Sequence, residues 1–222
     1  MFAIIIALAL TIISATPTPN HYGCDVSRAE LDLPRTQINI SVSSGTEPKY
    51  ITLAIGTQNY TCTNTGNYSA AGAVSILVDI SCLYKSDPNL FENVQDTSYN
   101  LFSRSGNGMP TLNEVEAVIG HRPYILGNHY FIPRDGAIVP YFDFRSQEGY
   151  EDDAYMVGQL VGGIPSSEGS KNIDWLQLES IDGKLAKYVF RVDTQGGQPP
   201  TSCDKEGYGI TVPYTAKYWF FG

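Results

Sequence analysis

The sequence holds three histidines, His21, His121 and His129, and imidazole is the side chain best suited to proton transfer or metal binding near neutral pH. His121 and His129 stand eight residues apart with Pro123 between them. That is not the one-turn helical spacing of a zinc-binding pair. His129 begins a strand-like His-Tyr-Phe-Ile run. It is a candidate general base or ligand, although a structural hydrogen bond from strand to loop is the preferred reading. Asp143 and Asp174 also fall in strand-like stretches. Two carboxylates about 5–10 Å apart across a cleft would suit glycoside hydrolysis, so these two and His129 are the catalytic candidates. Nothing in their spacing brings them together. Glu148, Glu151, Asp152 and Asp153 could offer oxygens to calcium, but they lack the alternating order of a calcium loop and read as a solvated acidic loop. No Gly-x-Ser-x-Gly elbow is present. Neither a metal nor a cofactor is expected.

The four cysteines, Cys24, Cys62, Cys82 and Cys203, contain no Cys-x-x-Cys pair, which argues against zinc. Their use follows from the start of the chain. Residues 2–13 form an almost unbroken apolar run that meets Ser14-Ala15-Thr16-Pro17, the pattern of a secretory signal peptide cleaved after Ala15. The run is too short to span a bilayer, which takes about 20 apolar residues, and no later segment approaches that length. The expected products are a signal peptide, residues 1–15, and a mature domain, residues 16–222. An even cysteine count in an exported chain predicts two disulfides, with three connectivities open. The preferred pairing joins Cys62 to Cys82 across neighbouring strands and Cys24 to Cys203 at the two ends of the chain. Once oxidised, none of them is a nucleophile.

Asn39-Ile40-Ser41, Asn59-Tyr60-Thr61 and Asn67-Tyr68-Ser69 match the N-glycosylation pattern. Three such sites behind a signal peptide predict glycosylation in a eukaryotic secretory pathway. The net charge is −9, from 14 Lys+Arg against 23 Asp+Glu. That balance offers no footprint for nucleic acid and disfavours anionic membrane surfaces. Neutral partners such as extracellular or cell-wall glycans fit it.

These residues must be carried mainly by sheet. Apolar and β-branched runs at 49–63, 73–82, 129–132, 138–144, 173–179, 186–193 and 212–221 read as strands, and about nine strands are expected along the chain. Asn64-Thr65-Gly66-Asn67 and Asp182-Gly183 read as turns. Asp87 as N-cap and Pro88 in the first turn, followed by apolar Leu90, Phe91 and Val94, predict a short helix. Residues 103–114 and 147–153 read as loops. The helical crossovers that parallel strands require are missing. The expected fold is mainly β, a single-domain antiparallel β-sandwich or barrel with one short helix.

Further runs carry a family resemblance. They are Gly127-Asn128-His129-Tyr130-Phe131-Ile132-Pro133, Asp143-Phe144, Ile173-Asp174-Trp175-Leu176 and Gly183-Lys184-Leu185-Ala186. With them go Val189-Phe190-Arg191-Val192-Asp193-Thr194, Gly197-Gln198-Pro199-Pro200, Cys203 and Tyr214-Thr215-Ala216-Lys217-Tyr218-Trp219. Together these resemble DUF3455, a family of secreted fungal and bacterial proteins of unknown function. Gly56-Thr57-Gln58-Asn59-Tyr60-Thr61-Cys62 is similar to its early motif. The resemblance covers most of the mature chain and is strongest with the fungal branch. It implies secretion and a β-rich domain. Some members carry the name malate dehydrogenase. A nicotinamide site needs a glycine-rich strand-to-helix turn with an acidic residue about 20 positions later. Gly106-Asn107-Gly108 and the glycines at 158, 162 and 163 do not form it.

Fifteen tyrosines and two tryptophans offer an apolar face and a polar tip, suited to sheet packing and, where exposed, to sugar stacking. Packing is the preferred account for most, Trp175 included. The functional expectation is a secreted, non-enzymatic protein of the fungal cell surface or matrix that binds glycans or cell wall. A secreted hydrolase using His129 and the strand carboxylates is the alternative. An interaction protein acting on a host or neighbouring cell is a third reading.

Overall fold

A computed structural model describes residues 23–104, 110–120, 122–147 and 151–222. The expected signal peptide, His21, His121 and Glu148 lie outside the described residues. Side-chain alternation along the strands builds the architecture. In β1 (Pro48–Cys62), Ile51, Leu53 and Ile55 point one way and Ala54 the other. In β8 (Gly209–Phe221), Trp219 and Phe221 share the first direction, while Tyr214, Ala216, Tyr218 and Phe220 take the second. The remaining strands are β2 (Tyr68–Asp79), β3 (Ile125–Arg134), β4 (Ala137–Asp143), β5 (Tyr155–Ile164), β6 (Trp175–Asp182) and β7 (Tyr188–Gly196). Each pairs antiparallel with its chain neighbour, and β8 returns to β1 to close an eight-stranded barrel. Every strand contributes to the second apolar set, which is the barrel interior. The expectation of sandwich or barrel resolves to a barrel, with eight strands in place of about nine.

The first apolar set lies outside the wall and is covered by helices and the N-terminal segment. Helix α2 (Pro88–Phe102) lays Phe91, Val94, Ser98 and Phe102 inward at helical spacing. Asp87 caps it as expected, its side chain accepting from the Leu90 amide, with Pro88 in the first turn. The helix runs eight residues past Val94 (102 − 94 = 8), because Ser98 and Phe102 continue the buried face. A four-residue helix α1 (Leu83–Ser86) precedes it. Helix α3 (Leu112–Ile119) follows, started by a Thr111–Glu114 capping box and ended by left-handed Gly120. Among the described residues three helices therefore replace the single short one expected. Gly196, at φ 70°, admits α2 to the barrel, since a Cβ there would collide with the Tyr99 ring.

The disulfides pair Cys24 with Cys82 and Cys62 with Cys203. The expected Cys62–Cys82 and Cys24–Cys203 pairing is corrected by strand register. Cys62 sits opposite Tyr68 at the turn end of the β1–β2 hairpin, whereas Asp79, three residues before Cys82, sits opposite Thr52 at the far end. The two cysteines are thus separated by most of a strand length. Cys62 instead meets the β7–β8 loop, where the Cys203 amide donates to the Gly66 carbonyl and the Cys62 amide to the Tyr208 carbonyl.

Peptide mapping without reductant should recover the Cys24–Cys82 and Cys62–Cys203 bridges and no titratable thiol. The double variant Cys62→Ser/Cys203→Ser should lose about 2–5 kcal/mol in urea unfolding. Recovery of a Cys62–Cys82 peptide would overturn the pairing.

Candidate functional site

His129 lies on the inner face of β3, opposite Ser75 and Phe142 in the flanking strands. Its ring stacks on Phe142 at 4.4 Å and tilts against Phe131 and Tyr218. Nδ1 stands 3.0 Å from the Tyr141 carbonyl oxygen; since a carbonyl can only accept, Nδ1 carries the proton and donates. The side chain is 3% exposed. Burial pulls its pKa down to about 4, so the ring is neutral near pH 7. The polar groups beside it are hydroxyls. Tyr214 donates to Ser75 Oγ at 3.2 Å and stands 3.4 Å from the Tyr218 hydroxyl. Its own ionisation is pushed well above the ordinary tyrosine value by burial. The geometry is that of a packed polar layer, and the hydrogen bond runs from strand to strand, where one from strand to loop was expected.

Asp143 ends β4 on the opposite side of the wall. Arg145 grips it with two parallel bonds, Nε to Oδ1 at 2.9 Å and Nη2 to Oδ2 at 2.8 Å. The Tyr130 hydroxyl donates to Oδ2 at 3.1 Å. The Arg145 hydrogen bonds hold the Asp143 carboxyl below its usual range. Asp174 is exposed and immediately precedes β6. It takes part through its backbone carbonyl, which accepts from Arg191 Nε and Nη2 at 3.1 and 2.9 Å. His129, Asp143 and Asp174 thus occupy the interior, the outer wall and a strand end. They do not converge.

Around Asp143 the outer wall carries a row of rings across three strands. Tyr130 on β3 tilts against Tyr141 on β4 at 5.1 Å, and Tyr141 stacks with Tyr155 on β5 at 5.4 Å. The Arg145 guanidinium lies over Tyr155 at 5.0 Å and Tyr141 at 5.7 Å. Tyr155 donates to Asp182 Oδ1, and Arg134 reaches Asp182 Oδ2, both at 3.1 Å. The Arg134 hydrogen bond is the main influence lowering the Asp182 pKa. Burial pushes Tyr141 up to about 12. Tyr130 and Tyr155 are half-buried and Arg145 is exposed, so the two ends of the row are reachable from solvent, while Tyr141 between them is buried. The acidic loop beside it carries Glu151, Asp152 and Asp153, and Lys184 pairs with Asp153. Among the described residues no cluster has the make-up of a metal site.

Sequence reasoning missed the cationic side chains. Lys217, on the outward face of β8, is 1% exposed. Its Nζ donates to Asp193 Oδ2 at 3.0 Å and to the Glu92 carbonyl of α2 at 3.3 Å, and stands 4.6 Å from the Phe91 ring centre. Asp193 reaches it from a bulge in β7, at φ 48°. Gln195 bonds Glu168, whose pKa is pushed up to about 7 by burial and by the charges of Asp96 and Asp193. Strand phase was the available signal, because Lys217 shares the face of buried Trp219 and must find a counter-charge there.

A family model described as a protein of unknown function (DUF3455) matches residues 43–222. No curated protein and no solved structure matches the chain.

Lys217→Met should leave Asp193 without its cation and cost about 3 kcal/mol in urea unfolding; an unchanged midpoint would show that the ion pair does not hold α2. A histidine whose folded pKa is depressed contributes stability above its unfolded value near 6.5, and that contribution is lost as pH falls toward 4. About 3 kcal/mol should therefore vanish between those pH values. His129→Phe should flatten this part of the stability curve, and an equally steep fall in the variant would show that another group is responsible.

Proposed function

The chain belongs to the DUF3455 family, and from that footing we propose that it is an exported, N-glycosylated, non-enzymatic protein of a fungal cell surface or matrix that binds neutral glycans. A signal peptide over 1–15 and a mature domain over 16–222 belong to this reading. So do the three sequons: Asn39 and Asn67 are exposed and Asn59 partly so, which leaves each open to a glycan. Two disulfides fit an oxidising compartment. No described helix is long and apolar enough to cross a membrane.

The observation that carries the binding reading is the row Tyr130–Tyr141–Tyr155 beneath Arg145. An aromatic face contacts the C–H face of a sugar ring, while a guanidinium and carboxylates held in fixed planes bond its hydroxyls. Here both kinds of group share one surface and are mutually braced. The net charge of −9 favours uncharged polysaccharides over acidic ones. The same electrostatics weigh against hydrolysis on this face. A glycosidase acid needs a raised pKa, whereas Asp143 and Asp182 are both held below theirs by guanidinium bonds. His129, the other component of the hydrolase alternative, is neutral and enclosed.

Sedimentation with insoluble β-glucan, chitin and mannan should show saturable binding to at least one of them. Tyr155→Ala and Arg145→Ala should each weaken it about tenfold, equivalent to about 1.4 kcal/mol. Tyr208→Ala, at an exposed tyrosine of the β7–β8 loop, should not. Equal losses in all three variants, or no binding by the parent protein, would refute the assignment.

A further inference from the structure

Among the described residues most ion pairs hold their cation near the surface, its side chain 35% to 80% exposed. The pair of Lys217 with Asp193 differs, because its lysine side chain is only 1% exposed. Two charges enclosed in this way carry a desolvation cost that their attraction barely repays. A neutral group in their place would carry none of it.

The amine is held in one position. Thr215 and Lys217, two residues apart on the outward face of β8, donate to the Gln95 and Glu92 carbonyls, so α2 runs along the strand above them. Lys217 Nζ also meets Asp193 Oδ2 at 3.0 Å, and the Phe91 ring lies 4.6 Å away. Asp193 comes from the bulge between Val192 and Gln195, with its backbone in the left-handed region at φ 48°. Its Cγ is one bond beyond the oxygen that touches Nζ. Asp96 directly follows Gln95 and stands about one helical turn beyond Glu92. Its Oδ1 is buried with no partner, and burial raises its pKa, which favours the protonated form. An amine and a carboxyl held in contact are the reactants of an amide. Fixing both removes the entropy of encounter, an advantage equivalent to about 10⁵ M or more in well-oriented pairs.

We propose that Lys217 and Asp193 condense after folding into an intramolecular isopeptide bond, a covalent tie between β7 and β8 beneath α2. The ammonium passes a proton to the carboxylate, and the freed amine attacks Cγ to form the C–N bond. One C–O bond then breaks, and its oxygen leaves as water with two protons that began on Nζ. The third proton stays on the amide nitrogen. No other reactant is consumed. The Asp193 side chain is 27% exposed, which gives the water an exit. The bond lies apart from the tyrosine row and does not depend on glycan binding there.

Mass spectrometry of the full mature protein, reduced and enzymatically deglycosylated, should find it lighter than its expected mass by one water. Trypsin should fail to cut after Lys217 and should leave the peptides on either side of Lys205 joined through Asp193 and Lys217. Lys217→Arg, which keeps the charge and removes the amine, should restore the full mass. Asp193→Asn should expel ammonia in place of water and reach the same linked product as the parent, and it serves as the test if Lys217→Arg does not fold. A parent protein of full expected mass would overturn the proposal. So would a water loss that persists in Lys217→Arg, the sign of a cyclic imide at Asp193.

Discussion

The ladder between the first strand and the last is the constraint on which the molecule depends. It runs from Pro48 opposite Phe221 to Thr61 opposite Gly209 and converts an eight-strand meander into a closed wall. Closure removes the exposed strand edges that would otherwise invite pairing with other chains. It also gives each side chain one of two fates. Those of one parity fill the lumen, and those of the other must be covered from outside or face water. Gly56 shows how tightly this wall is drawn, because a Cβ there would run into the backbone of Val74 and Ser75 on β2.

That division explains the chemistry. The same strand can carry Lys217 outward beneath a helix and Tyr218 inward toward an imidazole, one position apart. Each polar group is then answered by its own side of the wall: Asp193 for Lys217, a carbonyl for His129, Arg145 for Asp143. A catalytic set needs groups of opposite function facing one another. Here His129 and Asp143 are on different sides, so their separation follows from parity, and Asp174 stands apart from both at a strand end.

Much of the sheet was legible in the sequence because alternation is a local signal. The runs around Thr52, Val78, Ile132, Phe142, Leu178, Phe190 and Trp219 all lie in strands. Strand β5 was missed because Gly158, Gly162 and Gly163 dilute its pattern, and glycine weakens any strand reading. The latter half of α2 was missed because Gln95 and Ser98 are buried yet polar. The start of α3 was hidden in a segment read as loop, although Thr111-x-x-Glu114 is the signature of a capping box. The cysteine pairing required a register, which no local pattern supplies. The tyrosine row needed the alignment of three strands at once. The DUF3455 resemblance matched the family, but a family of unknown function carries no site.

The order of the cysteines along the chain has one more effect. The bridge from Cys24 to Cys82 and the bridge from Cys62 to Cys203 interleave, the second starting inside the loop of the first and ending beyond it. A protease cutting one peptide bond anywhere from Cys24 to Cys203 therefore leaves at least one bridge spanning the cut. Such a nicked molecule keeps its fragments tethered and its full mass, and only a reducing agent releases the pieces.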